Sequence, residues 1–293
     1  MKNLYPILFA FLLCASMGAS AQVPNYNSYP SASATIFLDF DGQTVEGTSW
    51  NMNGPIICGP SNMSNAQITE IFKRVAEDYR PFNVNVTTDS TKYWAAPADM
   101  RIRIVLTVTN EWYGNSAGGV SYMGAFTWGD NTPSFVFTKL LGYNTKNVAE
   151  AASHEAGHSL GLRHQAAYNT SCVKTADYNP GTGSGEIGWA PIMGVGYYRN
   201  FTLWNNGANP YGCTNYQNDL QVITSYNGFS YRPDDFTSDF KNSTTQMSFV
   251  NNKFNVDGVI ETSGDADVVK FTIPVTSLFH LNAVPFNLGD GYT

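Results

Sequence analysis

"HEAGHSLGLRH" spans His154 to His164 and carries three of the chain's four histidines. On a helix, His154 and His158 lie four residues apart and project from one face. Gly161 is free to adopt the left-handed conformation that ends a helix and turns the chain. That turn would bring His164 back toward the first two. Upstream, "NTKNVAEAAS" (Asn144–Ser153) extends the same pattern, so the spacing predicts a helix over 144–162 that stops in a sharp reversal.

The rest of the chain is read outward from this helix. "SATIFLDFDG" (Ser33–Gly42) reads as a strand closed by a turn at Asp41-Gly42. "SNAQITEIFKRVAEDYRPF" starts a helix at Ser64 or Asn65, repeats its apolar positions at helical spacing, and is stopped by Pro81. Asn83–Thr88 and Arg101–Thr109 alternate like strands, and Gly118–Trp128 and Pro133–Thr138 look like two more. After the histidine stretch comes a long Gly-, Asn- and Tyr-rich region with little periodicity, then a short helix over Asn215–Tyr226.

Three converging imidazoles are ligands for one metal ion. Three protein ligands leave a fourth tetrahedral position open, which separates a catalytic zinc from a closed structural one. Glu155 is adjacent to the first ligand, placed to polarise a zinc-bound water without binding the ion itself. Zinc lowers the pKa of such a water from about 16 toward about 7, and a carboxylate beside it can take up the proton.

The pattern H-E-x-x-H-x-x-G-x-x-H, met here by His154, Glu155, His158, Gly161 and His164, is similar to the signature of metzincin zinc peptidases. "APIMG" supplies a candidate methionine turn at Met193. "LDFDG", "RVAEDYRPFNVNVTTD", "GWAPIMGVGYY" and "YRPDD" further resemble secreted bacterial reprolysin-like zinc proteases with C-terminal pre-peptidase-type β-modules. The resemblance covers roughly Thr35 to Asp235. It implies an α+β catalytic domain with a twisted mixed sheet, an active-site helix and a Met-turn. It also implies one catalytic Zn2+ on His154, His158 and His164, Glu155 as the catalytic base, and Gly161 and Met193 as structural support. The implied activity is a zinc endopeptidase acting on protein or peptide substrates through a Glu-activated zinc-bound water. "GGVSYMGAF" is either the edge strand that pairs with substrate in such enzymes or an ordinary sheet strand. Where astacins carry Glu and adamalysins Asp after the third histidine, this chain has Gln165. Where astacins and serralysins place a tyrosine two residues after the methionine, this chain has Val195; the nearest tyrosines, Tyr197 and Tyr198, either stabilise an oxyanion or, the preferred reading, pack. Glu150 reads as a solvated helix-face residue and His280 as ordinary.

"MKNLYPILFAFLLCASMGASA" has the form of a secretory signal peptide over 1–21. Lys2 is its positive start, Ile7–Leu13 its apolar middle and Ala19-Ser20-Ala21 its cleavage site. Export follows as an expectation, with no membrane span after cleavage. The expected domains are a catalytic unit over 22–232, a polar linker over 233–245 and a partial β-sandwich module over 246–293. That module is short of the ~100 residues a sandwich usually needs, so the chain reads as a fragment. The net charge of −7 and the lack of a basic stripe argue against nucleic acid as a partner. Cys172 and Cys213 flank the irregular region and suggest a disulfide clip, with Cys58 buried and free. Asp39 with Asp41, and Asp265 with Asp267, miss the EF-hand spacing and read as turn residues. A reading from another class is a secreted binding or adhesion protein that carries a protease-like domain.

Overall fold

The computed structural model describes residues 22–241, 246–247, 249–251, 253–273, 275–286 and 288. The signal peptide expected over 1–21 lies outside these, as do parts of the linker and tail.

Seven strands and four helices frame the site. The strands are β1 (Ala34–Asp39), β2 (Gln43–Val45), β3 (Ile56–Cys58), β4 (Val84–Thr87), β5 (Arg101–Thr107), β6 (Gly119–Val120) and β7 (Ser134–Phe137). The helices are α1 (Asn65–Asp78), α2 (Ser90–Ala95), α3 (Thr145–Ser159) and α4 (Asp219–Tyr226). A five-stranded mixed sheet runs β4-β1-β5-β7-β6. Its first four strands are parallel, and β6 pairs antiparallel to β7 at one end. β2 and β3 form a separate antiparallel ribbon.

Alternation along the strands decides which layer each side chain enters. Ile36, Leu38, Ile104 and Leu106 face one layer with Ile68, Ile71 and Val75 of α1 and Val148, Ala152 and Ala156 of α3. Phe135, Phe137 and Val105 face the other layer, where Val45, Ile56 and Cys58 of the β2–β3 ribbon pack beside Trp50 and Trp112. Both faces of the sheet are therefore covered, and β1 is buried along its whole length.

α1 begins as its sequence predicts. Ser64 caps it, and Gln67 completes a reciprocal capping box. α3 is capped by the Asn144 side chain, which accepts from the Asn147 amide. Its inner face is built of Ala149, Ala152, Ala156 and Gly157, small enough for the helix to sink against the sheet.

Two expected elements are shorter than the pattern suggests. Of Gly118–Trp128, only Gly119–Val120 is strand. Gly124 takes a left-handed φ of 78° and breaks the extension, and Ala125–Thr127 coils so that Phe126 is buried. The late helix starts only at Asp219, because the Asn218 side chain caps it there, while Tyr216–Asn218 pairs with Asn206–Ala208 as a ribbon.

The irregular region is pinned by cross-links in place of periodicity. Ala167–Tyr168 pairs with Lys174–Ala176, and Trp189–Pro191 with Phe201–Leu203. Cys172 and Cys213 are disulfide-bonded, and Cys58 is free and buried. Cys58 packs with Val105, Phe135 and Phe137. No helix among the described residues is long and apolar enough to cross a membrane.

Candidate active site

α3 ends at the turn expected of Gly161. That residue has φ 95°, its amide donates to the His158 carbonyl at 2.9 Å, and the Leu162 amide donates to the Gly157 carbonyl at 3.0 Å. This double bond pattern is a Schellman closure, which a Cβ at the left-handed position would strain. The reversed chain brings His164 back over the helix. Ring centroids lie 4.7 Å apart for His154–His158, 4.7 Å for His158–His164 and 5.2 Å for His154–His164. Each of the three offers a nitrogen within 4.8 Å of the other two.

The chain also orients the rings. His154 Nδ1 lies 2.8 Å from the Ile192 carbonyl, and His158 Nδ1 lies 2.7 Å from the Leu162 carbonyl. A carbonyl only accepts, so each Nδ1 carries the proton and each Nε2 keeps its lone pair. Burial, reinforced by the neighbouring imidazoles, drives His154 well below the usual histidine range. Burial, with His164 second, lowers His158 to about 4. Burial also lowers His164. The cluster is neutral at pH 7, the state in which imidazole binds a metal. These donors fit a zinc ion.

Glu155 is only 6% exposed, and its Oε2 is buried without a hydrogen-bond partner. Burial pushes its carboxyl up to about 8. A cation held on the adjacent imidazoles would act in the opposite sense and favour the ionised form. An orphaned buried carboxylate is costly, and such groups concentrate at reaction centres.

Met193 packs beneath the helix. A Cβ at Gly157 would stand 2.6 Å from its sulfur, so the contact needs glycine there. The Met193 carbonyl accepts from the Gln165 amide at 2.8 Å. Gln165, the position where named subfamilies differ, is fully buried. Its Nε2 donates to the Asn205 carbonyl at 2.9 Å and to Asp219 Oδ1 at 3.0 Å, and its Oε1 accepts from Asn205 Nδ2 at 2.6 Å. Gln165 thus ties the strand after His164 to the start of α4.

Several neighbours of the site escape sequence reasoning. Gly119 of β6 lies against Glu155: a Cβ there would come within 2.7 Å of Cγ and 2.8 Å of Oε1. Tyr178, 46% exposed, sits over the cluster with its ring 4.3 Å from that of His164. It comes from the region without periodicity, so no local signal marks it. Tyr197 is turned inward, close to Gly118, and burial, with Glu155 next, raises its hydroxyl to about 12. Tyr198 faces solvent. Glu150 is not the solvated residue its helical position suggests. Its carboxylate accepts from Lys146 at 2.8 Å and Thr202 at 3.2 Å, and so fastens α3 to the Phe201–Leu203 strand. A cavity of about 450 Å³ flanks the Gly161 turn, lined by Leu160, Arg163, Tyr216, Gln221 and Val222 among others. None of the three histidines nor Glu155 lines it.

A mixed sheet, a helix laid against it, a glycine turn and three neutral imidazoles beside a buried glutamate together have the features of a zinc-dependent hydrolase. The family model for Metallo-peptidase family M12B Reprolysin-like matches residues 63–165. That match, with the histidine cluster, supports a metzincin-type zinc metallopeptidase, a hydrolase of protein or peptide substrates. The matched span runs from the start of α1 through all three histidines and stops before Met193. No curated protein matches the chain.

Proposed function

We propose that this chain is a secreted zinc endopeptidase in which Glu155 is the general base for a water attacking the peptide carbonyl. The observation that carries this reading is the orphaned, buried Glu155 Oε2 beside three imidazoles, two of which, His154 and His158, have their Nδ1 protons committed to backbone carbonyls. His154, His158 and His164 would hold one zinc ion. When bound, zinc supplies Lewis acidity, making water acidic near neutral pH and polarising the carbonyl.

Glu155 then takes a proton from the attacking water and returns it to the leaving amine. Burial, which raises its carboxyl to about 8, favours uptake of that proton, and a bound cation would favour its release. Gly161 sets the position of His164, and Met193 fills the space under α3. β6 stands at the end of the sheet order, next to Glu155. A substrate backbone aligned along β6 would be held by main-chain hydrogen bonds, with Gly119 leaving room beside the base. Export is supported by the pattern of residues 1–21. A β-sandwich-like module after the linker is supported by the pairing of Gln246–Met247 with Lys270–Phe271 and by ring contacts among Phe254, Phe271 and Phe279.

Glu155→Gln tests the reading. It should keep stoichiometric zinc and lose casein hydrolysis by at least 100-fold, in line with the usual weight of a general base, about 10²–10⁴. His158→Ala should lose the metal. Full hydrolysis by Glu155→Gln would overturn the role of Glu155. Zinc binding without any hydrolysis by the wild type would favour a binding protein.

A further inference from the structure

A second group of ligating side chains lies outside the histidine site. One oxygen each from Asp234, Glu261 and Asp265 lies within 4.8 Å of the others, and the same holds for Asp234, Asp235 and Asp267. Asp234, itself exposed, is common to both sets, so the two triads adjoin and bring carboxylates of two distant segments together. Glu261 is 4% exposed, and its Oε2 is shut from solvent with no hydrogen-bond partner. Asp267 Oδ1 is likewise buried and unpartnered. Neither Arg80 nor Arg232, whose charges are felt at this cluster, forms an ion pair with it among the described residues.

Gathering like charges and burying an unpaired carboxylate both cost free energy unless a cation offsets them. The donors are all oxygen, which selects a hard cation over zinc. Calcium accepts six to eight oxygens in flexible geometry, whereas magnesium demands a near-ideal octahedron and keeps its waters. Carboxylates drawn from separate loops suit calcium. The backbone accommodates the approach, since a Cβ on Gly258 would stand 2.7 Å from Asp267 Oδ2. The segment just before Asp234 is anchored on the catalytic unit, where the Arg232 amide donates to the Pro81 carbonyl at 2.9 Å.

From this arrangement we propose that Asp234, Asp235, Glu261, Asp265 and Asp267 form a calcium site that clamps the tail to the end of the catalytic domain. It is not an EF-hand. Its ligands come from the start of the linker and from the tail beyond it, so no contiguous spacing reveals it.

Isothermal titration of calcium chloride into the full, zinc-loaded chain tests the site. Saturable binding is expected, with a Kd of roughly 1 mM or tighter, the range of extracellular modules. Glu261→Gln and Asp265→Asn should each weaken binding at least tenfold, while Asp99→Asn, an exposed acid elsewhere, should leave it unchanged. Calcium should also raise the unfolding midpoint of the wild type and not of Asp265→Asn, which serves alone if Glu261→Gln fails to fold. No saturable binding, wild-type affinity in both cluster variants, or magnesium binding as tightly as calcium would overturn the proposal.

Discussion

Gly157 and Met193 are in contact across the underside of α3, with the methionine sulfur 2.6 Å from where a Cβ on residue 157 would stand. Gly157 is one residue before His158, so the helix that carries His154 and His158 rests directly on the methionine.

Gly157→Ala sets two effects against each other. Alanine gains about 1 kcal/mol of helix propensity over glycine. Overpacking a full core costs about 1–3 kcal/mol, and here a whole methyl meets sulfur. We expect net destabilisation and reduced zinc occupancy, measured by thermal unfolding and metal analysis. A more stable variant with full zinc would show that Met193 simply moves aside.

Gly119→Ala probes the wall beside Glu155, the proposed base. The added Cβ would clash with Glu155 Cγ and with the Phe135 carbonyl, each at 2.7 Å. The carbonyl belongs to the sheet and yields less readily than a side chain. Hydrolysis should fall at least tenfold, because a misplaced base loses near-attack geometry, while zinc content stays at the wild-type level. Unchanged kcat/KM would separate Gly119 from the reaction.

Gln165→Glu tests why this position is an amide. Its Nε2 donates to Asp219, a carboxyl that burial raises to about 6, with partial relief from the Asn205, Gln217 and Gln165 hydrogen bonds. A glutamate would lose the donor and place two buried carboxyls together. The variant should lose about 2–4 kcal/mol at pH 7.5, the scale of an unsatisfied buried group near a charge. Part of that loss should return below pH 5, where one carboxyl holds a proton and donates again. Denaturant melts at the two pH values give the difference, and equal losses would exclude a charge clash.

Asp39 provides a pH test remote from the histidines. It is 3% exposed, contacts Arg103 at 3.3 Å, and burial, with Asp41 adding to it, raises its carboxyl from 3.8 to about 7. The folded state holds the proton more tightly than the unfolded chain. Its stabilising contribution is therefore complete below about pH 4 and is lost as pH rises through 7. Each pH unit inside that window removes at most about 1.4 kcal/mol. Asp39→Asn has no proton to lose and should show a shallower decline between pH 4 and 7. Parallel profiles would place the pH dependence on other groups.

Much of the site is local chemistry and can be read along the chain. His154, Glu155 and His158 share one helical face because the helix has 3.6 residues per turn. Gly161 turns the chain because it lacks a Cβ, and Ser64 and Asn144 start helices because their side chains accept backbone protons. None of these depends on what packs nearby. The edge strand, the late helix and Glu150 were legible only in outline. Gly124, Asn218 and Thr202 decided their final form through contacts that periodicity does not carry.

By itself the sequence determined the spacing of His154 and His158, the glutamate beside the first of them, the turn that brings His164 back, and the order of the main strands and helices, though not α2 or the β2–β3 ribbon. Tertiary structure alone decided that Gly119 stands against Glu155, that Tyr178 covers His164, that Gln165 is a buried link to Asp219, and that five acids from two segments converge. The physical reason is range. Helical period and backbone conformation act over a few residues. Burial and hydrogen-bond pairing depend on which distant segments the closed core brings together.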